Sequence, residues 1–330
     1  MAADATLARP DARSAAEVRL MLRAAQMYYR LHLTQDQIGQ RLGVSRFKIG
    51  RLLDRALRES AVRIEIVHPA ARLVELEDAL VERFGLRTAV VVDVPTALPG
   101  HDADRLARER VAGAAADLLA SLRPAGTIGV SWGRTMLELA AHLRPGWTSA
   151  SEIVQLNGAT SRSAQPTRAH EVAERFGLTA GASIRLMAAP AIVGSPELRV
   201  ALEGDSSVGE TLAAARAAPT AVFGLGLLSA DSVHVASGYL GEVELAALRE
   251  AGAVGDVLGR FLALDGRIAL AWLDARTVGL PLADLRRKQL AVALAAGSGR
   301  GPIALGALRA RCLNVLVTDE PTAAWVLHHG

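Results

Sequence analysis

At 330 residues the chain is long enough for about two domains, and its 51% hydrophobic content supplies a sizeable core and excludes an intrinsically disordered protein. Its one cysteine, Cys312, excludes an internal disulfide and a cysteine zinc cluster. The net charge of +3 is unevenly spread: residues 20–63 carry nine Lys and Arg against three Asp and Glu, so the remainder is slightly acidic.

Residues 1–14 are small, polar and proline-containing, and are expected to fray. They contain no apolar core of a signal peptide, and no apolar run reaches the length of a membrane span. A soluble, cytoplasmic chain is the expectation. Ala15 to Leu31 reads as a helix, with Val18, Leu22, Ala25, Met27 and Tyr29 as apolar contacts.

Thr34 to Arg58 reads as two helices around a tight turn. Thr34 can cap the first helix, Ile38 and Leu42 form its apolar stripe, and Gly43 supplies the left-handed stop. Ser45 caps the second, on which Ile49, Leu52, Leu53 and Ala56 face inward and Arg46, Lys48, Arg51 and Arg55 stay outside. That is the pattern of a helix-turn-helix with a basic recognition helix. An ordinary helical hairpin with a solvated basic face has the same apolar pattern. The short Gly-centred turn, the cap beside the outward residues and the local charge favour double-stranded DNA as the partner. The candidate contacts are Arg46, Lys48 and Arg51 in the major groove, Ser45 as cap and contact, Arg41 and Arg55 on phosphates, and Thr34 and Gln35 at the start of the first helix.

Val62, Ile64 and Ile66 alternate before Pro69 and predict a short strand. Residues 71–86 form an amphipathic helix with Leu73, Leu76, Leu80 and Phe84 on one stripe and Gly85 as its stop. It can serve as a dimerisation helix, or pack on the following domain as a linker. The expected domains are a DNA-binding module over 15–68, this linker or dimerisation helix over 69–86, and a larger domain over 87–330.

Apolar β-branched runs and helical patterns alternate from there. Strands are predicted at 88–94, 127–131, 151–156, 183–187, 220–224, 290–295 and 314–318. Helices are predicted at 105–122, 132–143, 168–176, 208–218, 243–251, 254–261, 302–308 and after Pro321, with a further strand at 267–272. The alternation predicts an α/β domain with a mostly parallel sheet covered on both faces.

Ligands of such sheets bind where strands run into helices. Gly129, Ser131, Trp132, Gly133, Arg134 and Thr135 make one such junction, combining close backbone approach, hydroxyls, a charge and a helix N-terminus suited to an anion. A tight turn needing glycine for backbone reasons alone is the competing account. Gln155, Asn157 and Gly158 end another strand, and residues 296–300, with Arg300, precede another helix. Gly224 and Gly226 end a strand without completing a dinucleotide fingerprint. Asp256 is the carboxylate best suited to accept from sugar hydroxyls. No metalloprotease, nucleophile-elbow, paired-cysteine or P-loop motif is present, and the eight histidines have no ligand spacing. No catalytic residue, metal or cofactor is therefore expected. Lys288, after Arg286 and Arg287, reads as part of a solvated charged run.

From about Leu20 to the C-terminus the chain resembles the SorC family of sugar-binding transcriptional regulators. The carriers are YYRLHLTQDQIGQRLGVSRFKIGRLLDRA, LEDALVERFGL, GVSWGRTMLELA, QLNGA, AGAVGDVLGRFLALDG and LNVLVTDEPTA, in that order. The resemblance implies a Rossmann-like effector domain of the sugar-phosphate isomerase/CoA-transferase type. It further implies a phosphorylated sugar or polyol that alters operator affinity, and dimers or tetramers on palindromic or repeated sites. The family's phosphate loop maps to Gly129 through Thr135, its sugar-contacting segment to Gln155 through Gly158, and its acidic residue to Asp256. Its Gly-Gly-x-x-Lys segment maps to Ala296 through Arg300, where Arg replaces Lys as a planar fork instead of a point charge. Asp274-Ala275-Arg276 stands where the family often has Asn-Asp-Arg. Both departures bear on which effector is bound. The rival readings are a sugar-phosphate isomerase-like enzyme with an accessory DNA module, and an oligomeric scaffold without a ligand.

Overall fold

The computed structural model describes residues 12–29, 31, 33–59, 61–62, 73–94, 100–160, 163 and 167–330. The expected tail up to residue 11, the strand over 63–66 and the loop over 95–99 lie outside the described residues. The chain forms two compact units, Met1–Val67 and His68–Gly330.

The first unit contains helices α1 (Ala12–Tyr29), α2 (Gln35–Leu42) and α3 (Arg46–Arg58). Local chemistry sets their ends. Gln37 N–H donates to Thr34 Oγ1 at 3.3 Å and Thr34 N–H donates back to Gln37 Oε1 at 2.9 Å, a reciprocal capping box. Gly43 ends α2 in the left-handed region at φ +67°. A Cβ on Gly39 would sit 2.7 Å from the Val44 carbonyl oxygen, so the turn folds back on bare backbone. Lys48 N–H donates to Ser45 Oγ at 3.3 Å and starts α3. Ile38, Ile49 and Ala56 are fully buried as their spacing predicts. On α1, Ala25 is buried and Val18, Met27 and Tyr29 pack against the core as expected, but Leu22 is exposed and Met21 and Ala24 take the buried places beside it.

The second unit opens with α4 (Val74–Phe84), which lies on strand β1 (Thr88–Val92) through the fully buried Leu80. Val91 N–H donates to the buried Glu77 carboxylate at 2.9 Å. Next come α5 (Gly100–Leu122), β2 (Ala125–Val130), α6 (Arg134–His142), β3 (Ser149–Gln155), α7 (Ala169–Ala180), β4 (Ser183–Arg185), α8 (Pro196–Gly204), α9 (Ser206–Ala217) and β5 (Thr220–Leu227). The chain continues through α10 (Val233–Ala236), α11 (Glu242–Glu250), β6 (Ala253–Val257), β7 (Arg260–Ala263), α12 (Ala271–Asp274), α13 (Leu282–Leu285), β8 (Leu290–Ala295), α14 (Gly301–Arg309), β9 (Val315–Asp319) and α15 (Glu320–His329). Among the described residues no helix is long and apolar enough to cross a membrane.

The sheet runs β1-β9-β8-β5-β2-β3-β4, with all these pairs parallel. The strands β1, β9 and β8 are buried on both faces, which is why they read as continuous apolar runs, while the edge strand β4 is largely exposed. On β1, Ala89 and Val91 join Leu80, Ile303 and Val326 on one side, while Val90 and Val92 join Val111, Met136 and Phe176 on the other. From β2 the chain winds outward through β3 to β4, then returns to β5 on the other side of β2. The carboxyl ends of β2 and β5 thus border the crevice where strand order reverses.

Three expectations are corrected. Residues 254–261 are not helical: β6 and β7 form an antiparallel hairpin whose two-residue loop, Leu258 (φ +56°) and Gly259 (φ +81°), joins the paired Val257 and Arg260. Two positive φ values in a two-residue loop match the twist of the strands. Val254, Val257, Leu258 and Phe261 have helical spacing by coincidence, and pairing of β6 with β5 prevails. Residues 267–272 are not a strand either; Ile268 makes one isolated bridge to Leu262, and α12 follows. Lys288 is not solvated. It is buried, and its Nζ donates to the carbonyls of Ala215, Arg216 and Ala218 at 2.6, 2.8 and 2.7 Å, closing the C-terminal end of α9.

Candidate functional site

Two surfaces have the makings of sites, one in each unit. In the first, Arg41, Ser45, Arg46, Lys48 and Arg51 are exposed. Arg46 pairs with Asp36 at 3.6 Å, with both side chains about 64% exposed, a bridge too solvated to hold the arginine firmly. Arg41, Lys48 and Arg51 form no ion pair among the described residues. Arg55 is placed differently. Its Nε donates to Glu59 at 2.7 Å and its Nη1 reaches Glu17 of α1 at 3.5 Å. The hydrogen bond to Glu59, then the charges of Glu59 and Glu17, raise its pKa. Thr34 is engaged in its capping box, and Gln35 lies over Gly50 of α3. Sequence reasoning missed Phe47, which is 83% exposed on the first turn of α3. An aromatic side chain off the apolar stripe was the available signal.

In the second unit a pocket of about 640 Å³, its open mouth included, lies at the carboxyl ends of β2 and β5. One end is built for an anion. Gly133 caps α6 with φ +133° and no side chain, so no capping group occupies the first helical N–H groups. Gly224 N–H donates to Ser131 Oγ at 3.3 Å, which leaves the Ser131 hydroxyl proton free to donate into the pocket. Arg134 and Arg300 line the same end. Arg108, on α5, stands near enough that its pKa and that of Arg300 are both lowered, by burial first and then by the charge of Arg134. Two guanidiniums thus line this end, from α6 and the cap of α14, and the charge of Arg108 on α5 acts on them from outside the lining. Of residues 296–300 only Arg300 lines the pocket, and its Nη1 donates to the Leu225 carbonyl. Gly297 N–H donates to Asp319 at 2.6 Å and Ser298 N–H to Asp104 at 2.7 Å, so internal carboxylates already occupy the donors of that loop.

The other end is built for hydroxyls. Asp256 on β6 pairs across the strands with Gly226 on β5, and its carboxylate lies where a Gly226 side chain would be. Asp256 Oδ2 accepts from Gly259 N–H at 2.8 Å and from His234 Nε2 at 3.1 Å. Burial pushes its pKa up, but the charge and hydrogen bond of His234 and the Gly259 N–H outweigh it and hold the carboxyl below its ordinary value. His234 Nδ1 and Asn157 Oδ1 are buried at the pocket without a protein partner. Trp132 is a wall: its indole N–H donates to the Gly158 carbonyl at 3.0 Å, and its ring lies 5.3 Å from that of His234.

The structure therefore brings together Ser131, Trp132, Gly133, Arg134, Thr135, Asn157, Gly224, Gly226, Asp256 and Arg300. Gly129, Gln155 and Gly158 stand behind the pocket. A Cβ on Gly129 would overlap Leu156, and one on Gly158 would come 2.8 Å from the Ala189 carbonyl oxygen. Gln155 accepts from Met187 N–H at 3.0 Å. His234 and Arg108 went unrecognised because neither belongs to a motif: His234 sits on a four-residue helix, and Arg108 inside a long arginine-rich one. Among the described residues no cluster of His, Cys, Asp and Glu could hold a metal.

Comparison with known proteins agrees with this architecture. A family profile described as a sugar-binding domain matches residues 68–328. The deoxyribonucleoside regulator of Bacillus subtilis is 31% identical over 308 residues, 92% of this chain and 96% of that one. The transcriptional regulator LsrR of Klebsiella pneumoniae is 33% identical over 318 residues, 94% of each chain. The crystal structure of the full-length sorbitol operon regulator SorC from Klebsiella pneumoniae superposes with a TM-score of 0.67 at 25% identity, covering 94% of this chain and 99% of that one.

Proposed function

From the premise that the chain belongs to the SorC family of sugar-binding transcriptional regulators, we propose that its effector is a phosphorylated sugar or polyol held in the pocket of the second unit. The protein is a sugar-responsive, DNA-binding transcriptional regulator, not an enzyme. The observation that carries the effector reading is the polarity of the pocket. Arg134, Arg300 and the uncapped start of α6 make one end anionophilic, while Asp256 and Asn157 offer acceptors at the other, beside Trp132.

In this reading the phosphate lies against α6 and the arginines, and the hydroxyls bond to Asp256 and Asn157. The operator is held by α3, with Lys48, Arg46 and Arg51 at base edges and Arg41 on phosphate. Ser45 caps the helix, and Arg55, held by Glu17 and Glu59, braces α3 on α1. The effector shifts operator affinity because it binds the DNA-competent and DNA-incompetent arrangements unequally, and operator DNA must shift effector affinity by the same factor. The chain works in the cytoplasm as a homodimer or homotetramer.

The experiment is fluorescence anisotropy on the DNA upstream of its own gene cluster, at fixed salt, with a panel of sugar and polyol phosphates and their unphosphorylated counterparts. One phosphorylated compound should alter the affinity, and its unphosphorylated counterpart should not. Equal responses to both would overturn the phosphate assignment.

A further inference from the structure

Phe47 is the most exposed large apolar side chain among the described residues, at 83%. It occupies the second position of α3, before the inward stripe that starts at Ile49. Nothing in the helical core needs it there: α3 contributes Ile49, Leu52, Leu53 and Ala56 to that core, and Phe47 belongs to no apolar cluster of the unit. Its surroundings are cationic. Arg46 and Lys48 flank it in sequence, and Arg51 lies one turn along the same helix. Lys48 and Arg51 have no ion-pair partner among the described residues. An exposed phenylalanine on the same helix as the unpaired cations Lys48 and Arg51 suits a polyanion that presents an apolar mark at one point.

Duplex DNA is such a polyanion. The first turn of the second helix of a helix-turn-helix meets base edges in the major groove. The apolar mark displayed there is the C5-methyl of thymine, which Phe can contact. We propose that Phe47 is a specificity-determining residue that reads a thymine methyl in each half-site, while Lys48 and Arg51 supply charge and hydrogen bonds. This rests on α3 being the reading helix.

The test begins with an operator selected from randomised duplexes by the full chain. Each thymine is then replaced singly by uracil, which removes the methyl and keeps the base pair, and affinity is measured by anisotropy at fixed salt. Replacing the one contacted thymine in a single half-site should weaken wild-type binding about four-fold, the value of one buried methyl. Phe47→Ala should lose affinity on the thymine operator and show a flat uracil scan. Phe47→Leu should keep part of the dependence. A flat scan with the wild-type chain, or an unchanged dependence in Phe47→Ala, overturns the proposal. The wild-type scan uses no variant, so it stands whatever Phe47→Ala does to folding. Lys48→Ala and Arg51→Ala separate the two levels. If they weaken binding and lower its salt dependence while the scan is flat, α3 reads DNA but Phe47 does not read methyls. If they change neither, α3 is not the reading helix and both ideas fall.

Discussion

Gly226→Ala is the substitution whose outcome the structure constrains most tightly. A Cβ there would overlap Asp256 Oδ1 and lie 2.7 Å from Asp256 Cγ. The carboxylate cannot step aside cheaply, because it is 5% exposed and accepts from both His234 and Gly259. Each hydrogen bond to a charged group is worth roughly 1.5–3 kcal/mol, and a buried ion left without its partner costs about 3–5 kcal/mol. Gly226→Ala should therefore destabilise the second unit by about 3–5 kcal/mol, a fall in Tm on the order of 10 °C for a unit of this size. Gly224→Ala is the control. Its nearest neighbour would be Met136 Cγ at 3.8 Å, an ordinary contact, so the change should stay within about 1 kcal/mol. Urea unfolding followed by circular dichroism measures the stability of both variants. The clash should also vanish when its target does: in an Asp256→Ala background, Gly226→Ala should add little. Wild-type stability in Gly226→Ala, or the same cost in both backgrounds, would refute the reasoning.

Arg134→Ala should abolish the effector response and leave operator affinity intact. Lost operator binding with normal effector binding in anisotropy and calorimetry would contradict the pocket assignment. Lys288→Met leaves the carbonyls of Ala215, Arg216 and Ala218 without their donor and should cost about 2–4 kcal/mol in urea unfolding; a neutral result would mean that water replaces the ammonium. Asp256 ionises below its ordinary value when folded, so its stabilising contribution is complete above about pH 4 and is lost as pH falls through the lower folded value. The Tm gap between wild type and Asp256→Asn should accordingly narrow between pH 6 and pH 3, and a gap that widens would reverse the assigned direction. Replacing Lys48 and Arg51 together by Ala should flatten the dependence of operator affinity on salt, and an unchanged slope would move the DNA contact off α3.

What the sequence determines by itself is whatever neighbouring residues settle among themselves. Thr34 with Gln37, Gly43, and Ser45 with Lys48 specify the helix-turn-helix within a few positions of chain, because capping and left-handed backbone are local physics. Double burial of the strands shows in their unbroken apolar runs, so the parallel α/β sheet is legible too, as is the junction at Gly133 and Arg134. The hairpin over 253–263 is not, since its helical apolar spacing is overruled by pairing with β5, a partner about thirty residues away. Lys288 reads as solvated beside two arginines, yet is buried on carbonyls of α9 that only the fold brings to it. The pocket is divided the same way. Its backbone cradle is written in one stretch, but the meeting of Arg134 with Arg300, and of His234 with Asp256, joins elements far apart in sequence. Charges and hydrogen bonds act through space, and only the tertiary structure decides which side chains come within their range.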